Sequence, residues 1–458
     1  MKYARLLLAF VLSIIPSAGL FSQRRPEPPF ERNPSVRFDT DRMLSTDSTK
    51  IRLDISYRIP YDFFVFVRDS ANPVSLPFIA RADITIEILN ANGISEAREL
   101  THRVMNVAEP PKPRGAGGVL RGVLSFSLPP GIYTLVTEVT DKESDRRMFD
   151  NSRKITLMSP NDPAVDCSDI LLTEPSGGPS DTTTPIIPIS SGGDVPFGRD
   201  FTAVFGCRSD SPADSLSFPW TLYRYVPEEK DSVLCFSDTL GRARLLKGAV
   251  LDLSKDDRET YYRGVRSRSE DLSVVSIPLN GEKLEQGNYR LSVTIRGGAR
   301  ERSVVKFFSV RWLTMPFSLR RADLAVMAAR YIMSDDEYKE LQSQKSGKQV
   351  QAIEEFWKRK DPTPGTAYNE AMAEYYSRAD EASVSFSTVR GLNGIQTDRG
   401  KTYILYGPPA ETERRLAPSA APREIWLYPA LAKKFIFVDQ SRSGDYQLYS
   451  VDTLQGQH

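Results

Sequence analysis

The sequence predicts a mainly β protein with a C-terminal α+β domain, and three observations carry that prediction. From Ile51 to about residue 314, apolar residues alternate with polar ones in short runs bounded by turn residues. The pattern Leu-x-x-Gly-x-Tyr-x-Leu occurs twice, at Leu128–Leu135 and at Leu284–Leu291. After Trp312 the apolar spacing becomes helical and then returns to strand-like runs. The expected architecture is two immunoglobulin-like antiparallel β-sandwiches, over residues 46–160 and 165–314, followed by a helices-then-antiparallel-sheet module over 317–458.

The chain begins with Lys2 and Arg5, an apolar run from Leu6 to Phe21, and small residues at Ser17, Ala18, Gly19 and Ser22. A short apolar core between a basic end and small residues is the pattern of a secretory signal, whereas a spanning helix needs about 20 apolar residues. Residues 1–22 are therefore read as a signal peptide, with cleavage left open between Gly19 and Ser22. The expected location is extracytoplasmic, in the periplasm or at the cell surface, with no transmembrane segment in the mature chain. Residues 23–45 are rich in proline and charge without periodicity, and are read as a tether.

In the first sandwich, Ile51, Leu53, Ile55, Tyr57 and Ile59 alternate with polar residues, "YDFFVFVRD" follows Pro60 as a further strand, and Ile84, Ile86 and Ile88 face one way before an Asn-Gly turn. "GVLSFSLPPGIYTLVTEVTD" supplies two more strands. In immunoglobulin-like folds a tyrosine near the start of a late strand bonds back across the preceding corner, so Tyr133 and Tyr289 are read as structural. The Pro-, Gly-, Ser- and Thr-rich stretch 174–196 is read as a disordered insert.

The chain has 60 Lys plus Arg against 59 Asp plus Glu, so its overall charge points to no nucleic-acid partner. Its 3 cysteines, Cys167, Cys207 and Cys235, have no short metal-ligand spacing, and its 2 histidines are His102 and His458. No metal or other cofactor is expected. The cysteines read as small buried residues of sandwich strands; an odd count leaves one unpaired, and the sequence does not choose a pair. A histidine-dependent nucleophile would rest on His102 alone, which lies in an apparent edge strand.

Beyond Trp312, Leu324, Met327, Ala328 and Tyr331 fall on one helical face, and Ser334 with Glu337 forms a capping pattern for the next helix. "QAIEEFWKRKD" and Asn369 to Phe386 are two further helical stretches. "KTYILYG", "EIWLYP", "KKFIFVD" and "GDYQLYS" read as four strands of a meander. Thr397-Asp398-Arg399-Gly400 reads as a tight turn opening the first of these, and Gly407-Pro408-Pro409 as its end. The stretch lacks the glycines and the Gly-Lys-Ser/Thr ending of a phosphate loop.

The segments "EEFWKRKDPTPGTAYNEAMAEYYSRADEA", "GIQTDRGKTYILYGPP", "EIWLYP", "FIFVD" and "GDYQL" together resemble the GWxTD-domain family of exported bacterial proteins. "LDISYRIPYDFFVFV" and "CSDILLTEP" are similar to the β region often found ahead of that domain. Ile395 stands where the signature tryptophan is expected, as a packed side chain would allow. The resemblance implies architecture and envelope location, and no particular reaction.

The function expected is a non-enzymatic binding or scaffolding module that engages another envelope protein or a cell-wall polymer, with Asp398, Arg399, Tyr406, Trp426, Trp357 and Arg378 as candidate binding residues. The alternative is a glycan-acting hydrolase or carbohydrate-binding protein. There Asp398 and Asp439 are the candidate carboxylates, since two such groups within about 5–10 Å can act as acid and base. The same charged side chains can instead serve as Arg–carboxylate staples between helices and sheet. The partner and the oligomeric state are not legible in the sequence.

Overall fold

The computed structural model describes residues 36–454 apart from 46–48, 70–75, 112–117, 160–164, 176–183, 190–192, 226–231, 239–243, 256–259, 298–299, 390 and 417–419. The expected signal peptide and residues 23–35 of the expected tether lie outside the described residues.

The first strands are β1 (Arg37–Met43), β2 (Ile51–Pro60), β3 (Val67–Arg68), β4 (Phe78–Leu89), β5 (Ser95–Val107), β6 (Val119–Leu128), β7 (Gly131–Asp141) and β8 (Arg147–Leu157). They form an antiparallel sheet β1-β2-β6 and a second sheet in which β4 pairs β3, β5 and β7, and β7 pairs β8. Ile51, Leu53 and Ile55 of β2 share one core with Ile86 and Ile88 of β4 and Leu135 of β7, as the alternation requires. The turn after β4 is built by Asn90, whose side-chain oxygen accepts from the amides of Asn92 (2.9 Å) and Ile94 (3.0 Å), with Gly93 at φ 77°.

Two expectations are corrected here. The tether ends early, because Arg37–Met43 pairs in register with β2 and buries Met43 between the sandwiches. "YDFFVFVRD" is not one strand: Tyr61–Phe63 is a single 3-10 turn after Pro60. Phe63 and Phe64 both turn inward, 5.2 Å apart edge-on, which a two-residue period cannot do.

The second group comprises β9 (Val165–Cys167), β10 (Leu171–Thr173), β11 (Asp194–Pro196), β12 (Phe201–Ser209), β13 (Trp220–Tyr225), β14 (Ser232–Asp238), β15 (Arg244–Lys247), β16 (Ala249–Lys255), β17 (Thr260–Arg266), β18 (Leu272–Leu279), β19 (Gly287–Gly297) and β20 (Arg300–Arg311). One sheet runs β10-β12-β18-β15 with β9 also on β12, the other runs β11-β20-β19-β13-β14, and β16-β17 is a separate hairpin. Phe205, Cys207 and Ile277 of the first sheet meet Leu291, Val293 and Phe308 of the second in one core. Parts of the stretch expected to be disordered are held: Ile186 is buried and bridges Tyr262, Pro188 bridges Thr173, and β11 pairs β20 in parallel. Apolar residues embedded in that polar stretch, Ile186 and Val195 among them, find cores to enter.

Tyr133 and Tyr289 hold equivalent corners. The Tyr133 hydroxyl donates to the carbonyl of Pro129 and the Tyr289 hydroxyl to that of Glu285, each at 2.8 Å. Burial pushes the Tyr289 hydroxyl pKa up to about 12. Tyr289→Phe keeps the ring and removes the bond, so it is expected to lower stability by about 1 kcal/mol, read as a lower urea midpoint. An unchanged midpoint would remove the corner bond from the account.

A mixed cluster of Met43, Val123, Val204, Leu251 and Tyr262 joins the two groups of sheets. Around it Lys306 pairs with Asp41 (2.9 Å), Arg42 with Asp166 (2.9 Å), and Arg52 donates to the carbonyl of Leu251 (2.8 Å). On the far side, Phe197, Trp312 and Tyr368 pack ring against ring, and the Ala367 amide donates to Glu282 O at 2.9 Å. The C-terminal module is thereby seated on the second sandwich.

That module contains α1 (Phe317–Arg320), α2 (Ala322–Ala329), α3 (Asp335–Ser343), α4 (Ser346–Lys358), α5 (Glu370–Ser385) and α6 (Asp398–Tyr406), then β21 (Glu411–Arg415), β22 (Arg423–Tyr428), β23 (Lys433–Val438) and β24 (Gln447–Thr453). Ser334 and Glu337 form the expected reciprocal cap of α3, and Asn369 caps α5 through the Met372 amide. The four strands form an antiparallel sheet in chain order. "KTYILYG" is not among them. It lies in α6, and the unexpected strand is the charged "ETERR" of β21. A seven-residue run with alternating bulk fits either period, and a capped N-terminus with a place between α5 and the sheet decides for helix.

Candidate functional site

The Gly394–Gly407 segment is built as a helix start wedged against α5. Asn393 caps a 3-10 turn at Gly394–Gln396, and Thr397 then caps α6, its hydroxyl accepting from the Gly400 amide at 3.0 Å. The sequence Thr397-Asp398-Arg399-Gly400 is therefore a helix entry and not a tight turn. Gly400 is needed for space and not for a left-handed backbone. A Cβ there would lie 1.8 Å from the Gly394 carbonyl oxygen, and one on Gly394 would lie 1.9 Å from that of Ala382. Between them Ile395 is fully buried, and its carbonyl accepts from the Tyr331 hydroxyl at 2.7 Å. Burial, and then the nearby Asp398 charge, raise the Tyr331 hydroxyl pKa.

The charged residues that follow reach into the sheet. Asp398 opens the first turn of α6, where a carboxylate complements the helix dipole, and it accepts from the Leu448 amide at 2.7 Å. Arg399 is buried. It donates to Glu424 on β22 (3.0 Å) and to the Gly444 carbonyl (3.1 Å), with its guanidinium over the rings of Tyr446 (4.3 Å) and Phe386 (5.2 Å). Glu424, buried in turn, also accepts from the Trp426 indole at 2.8 Å and faces Arg414 at 3.5 Å. Asp439 accepts from the amides of Ser443 (3.1 Å) and Gly444 (2.7 Å). Asp398, Arg399 and Asp439 thus hold the same 439–448 connection from three directions.

The other candidates sit apart from that grip. Trp357 is buried among Phe356, Tyr375 and Tyr376. Arg378 pairs with Glu374 one turn earlier on α5, at 2.7 Å, and lies against Gly407. Tyr406 is partly exposed, packs on Phe435 at 5.3 Å and carries the Lys433 ammonium over its ring at 5.0 Å.

An open recess of about 690 Å³ lies between α5 and the sheet, lined among others by Glu381, Phe386, Tyr403, Arg414, Glu424 and Trp426. Neither Asp398 nor Asp439 lines it. Sequence reasoning missed Glu424, although a single acid inside the otherwise apolar "EIWLYP" is the signal of a buried charge with a partner. Gly394 and Gly400 carried no such signal, because what they make room for is brought close only by the fold.

Among described residues no helix is long and apolar enough to cross a membrane, and no cluster of three or more metal-ligating side chains occurs. No curated protein matches the chain. Among solved structures, a family 123 glycoside hydrolase from Clostridium perfringens aligns at 11% identity and a TM-score of 0.19, covering 38% of this chain and 33% of that one. This chain therefore spans about a third of the hydrolase. BcpA, the major pilin subunit of Bacillus cereus, aligns at 7% identity and a TM-score of 0.15, covering 51% of this chain and 69% of that one. Likenesses this slight carry no argument about activity. The family model that matches is the GWxTD domain, over residues 303–455, the stretch that holds the six α-helices of the described residues, the capped glycine turn and the C-terminal sheet: the C-terminal third of this chain matches the GWxTD domain.

Proposed function

We propose that the chain is an exported, non-enzymatic envelope protein whose C-terminal module holds a partner protein by taking an extended segment of it along β24. The observation that carries this reading is the contrast between the two edges of the C-terminal sheet. β21, Glu-Thr-Glu-Arg-Arg, is charged and exposed throughout, which is how sheet edges are kept from pairing. β24 instead exposes Leu448, Tyr449 and Val451, Tyr449 to 69%, and its outer edge pairs with no strand among the described residues. A partner strand added beyond Leu448, whose amide Asp398 already holds, gains main-chain hydrogen bonds and apolar contacts together.

The basic-apolar-small pattern of residues 1–22 supports export. The commitment of Asp398 and Asp439 to backbone amides supports a structural use of these acids over acid–base chemistry.

The test uses the full chain and a Tyr449→Lys/Val451→Lys variant, cross-linked in native envelope extract. Wild type is expected to cross-link one specific protein through the 447–453 peptide. The variant is expected to lose at least about tenfold of that yield at an unchanged melting temperature, since lysines on an edge block strand addition. Equal yields would overturn the reading. So would release of soluble sugar fragments from purified cell wall by the wild-type chain, or co-sedimentation of both proteins with cell wall in place of a cross-link.

A further inference from the structure

We propose that Cys167 and Cys207 form a cross-strand disulfide that pins β9 to β12, leaving Cys235 as the free thiol. The register places Cys167 directly opposite Cys207 in an antiparallel pair. The next pair, Ser168 and Gly206, carries the main-chain bond, Ser168 N–H to Gly206 O at 2.9 Å. Cys167 and Cys207 therefore occupy the adjacent non-hydrogen-bonded position, where Cα atoms lie about 4.5 Å apart and side chains are closest. That separation is within the range a disulfide spans, about 4.4–6.8 Å. Both side chains belong to the same sandwich core, so they leave their strands on the same face. Cys235 lies on β14, in the facing sheet, and is only partly buried.

In the structure all three are thiols, two of them buried. Burial, and then the neighbouring Cys167 and Asp166, push the Cys207 thiol up to about 12, so little of it is nucleophilic once the core has closed. The bond can form while β9, a three-residue strand at the sheet margin, is not yet docked on β12. The step is thiol–disulfide exchange with a disulfide-bearing oxidant. One cysteine thiolate attacks the oxidant and expels one of its sulfurs as thiolate; the other cysteine thiolate then attacks the mixed disulfide and expels the second. The two protons from the cysteines end on the reduced oxidant, and one disulfide is exchanged for another. The closed loop contains the Pro-, Gly- and Ser-rich stretch 174–196, so the bond removes freedom from the unfolded chain. The inference rests on the export reading only for where such an oxidant is met.

The experiment takes the reduced, denatured full chain, refolds it in a mixture of reduced and oxidised glutathione, and denatures it again in the presence of a maleimide. One label per chain is expected, on Cys235, with a linked Cys167–Cys207 peptide by mass spectrometry. A melting temperature about 10 °C lower after reduction is also expected, as for a loop of this length. In Cys235→Ser no label is expected and the linked peptide persists. Three labels per chain, or a linked peptide containing Cys235, would overturn the inference. The refolding outcome is independent of location. The export reading is tested separately, by fractionating cells that express the chain with residues 1–22 in place.

Discussion

Replacing Gly400 by alanine is expected to destabilise the C-terminal module by about 3 kcal/mol, although alanine is the better helix former by about 1 kcal/mol. The two effects have opposite signs and the geometry decides between them. Gly400 lies in the first turn of α6, where its missing Cβ lets the helix lie against the preceding turn; an added Cβ would be 1.8 Å from the Gly394 carbonyl oxygen. That obstacle is backbone, held by the Thr397 cap and by the seat of Gly394 against Ala382, so it cannot rotate aside as a side-chain tip can. Gly347, in the first turn of α4, is the control, since a Cβ there meets nothing within 4 Å. Gly347→Ala is expected to be neutral or stabilising by up to about 1 kcal/mol. The measurement is urea unfolding of both variants, with hydrogen exchange of the 394–406 amides to localise the change. Equal effects at the two glycines would mean that the close approach at α6 is not what the motif's glycines serve.

The same comparison shows what could be read in advance. Strand alternation in Ile51–Ile59 and Ile84–Ile88, the two corner tyrosines, and the Ser334–Glu337 cap are local patterns, and each was legible because neighbours along the chain determine it. α6 differs from the expected strand because Thr402, Tyr403, Ile404, Leu405 and Tyr406 are residues that also suit a strand, and a capping threonine and a turn threonine look alike in sequence. The ordered parts of the 174–196 insert were missed because Ile186 and Val195 find their contacts on distant strands. At the candidate site, Asp398, Arg399 and Asp439 were visible as charged residues at element ends. That they meet on one connection, 439–448, depends on the sheet register and on where the helix begins.

Glu424 is expected to matter more than Arg399, its partner, and that asymmetry tests whether the pair clamps helix to sheet. If Arg399 is cut to alanine, Glu424 keeps the Trp426 indole donor and the Arg414 guanidinium, so its charge still has company. If Glu424 is cut to alanine, Arg399 stays buried with the Gly444 carbonyl and two ring faces and loses the carboxylate it is paired with. An uncompensated buried charge of this kind costs about 3–5 kcal/mol. Glu424→Ala is therefore expected near that range and Arg399→Ala clearly below it. The double variant should be less unstable than the sum of the two, with a coupling of at least about 1 kcal/mol. Arg399→Met/Glu424→Leu goes further by replacing the pair with apolar bulk, and is expected to recover much of the loss, since such pairs can be exchanged for well-packed apolar groups at little cost. Urea midpoints for the wild type and the four variants settle the matter. Additive single effects would mean that Arg399 and Glu424 act separately, leaving Asp398 on the Leu448 amide as the tie between α6 and the sheet.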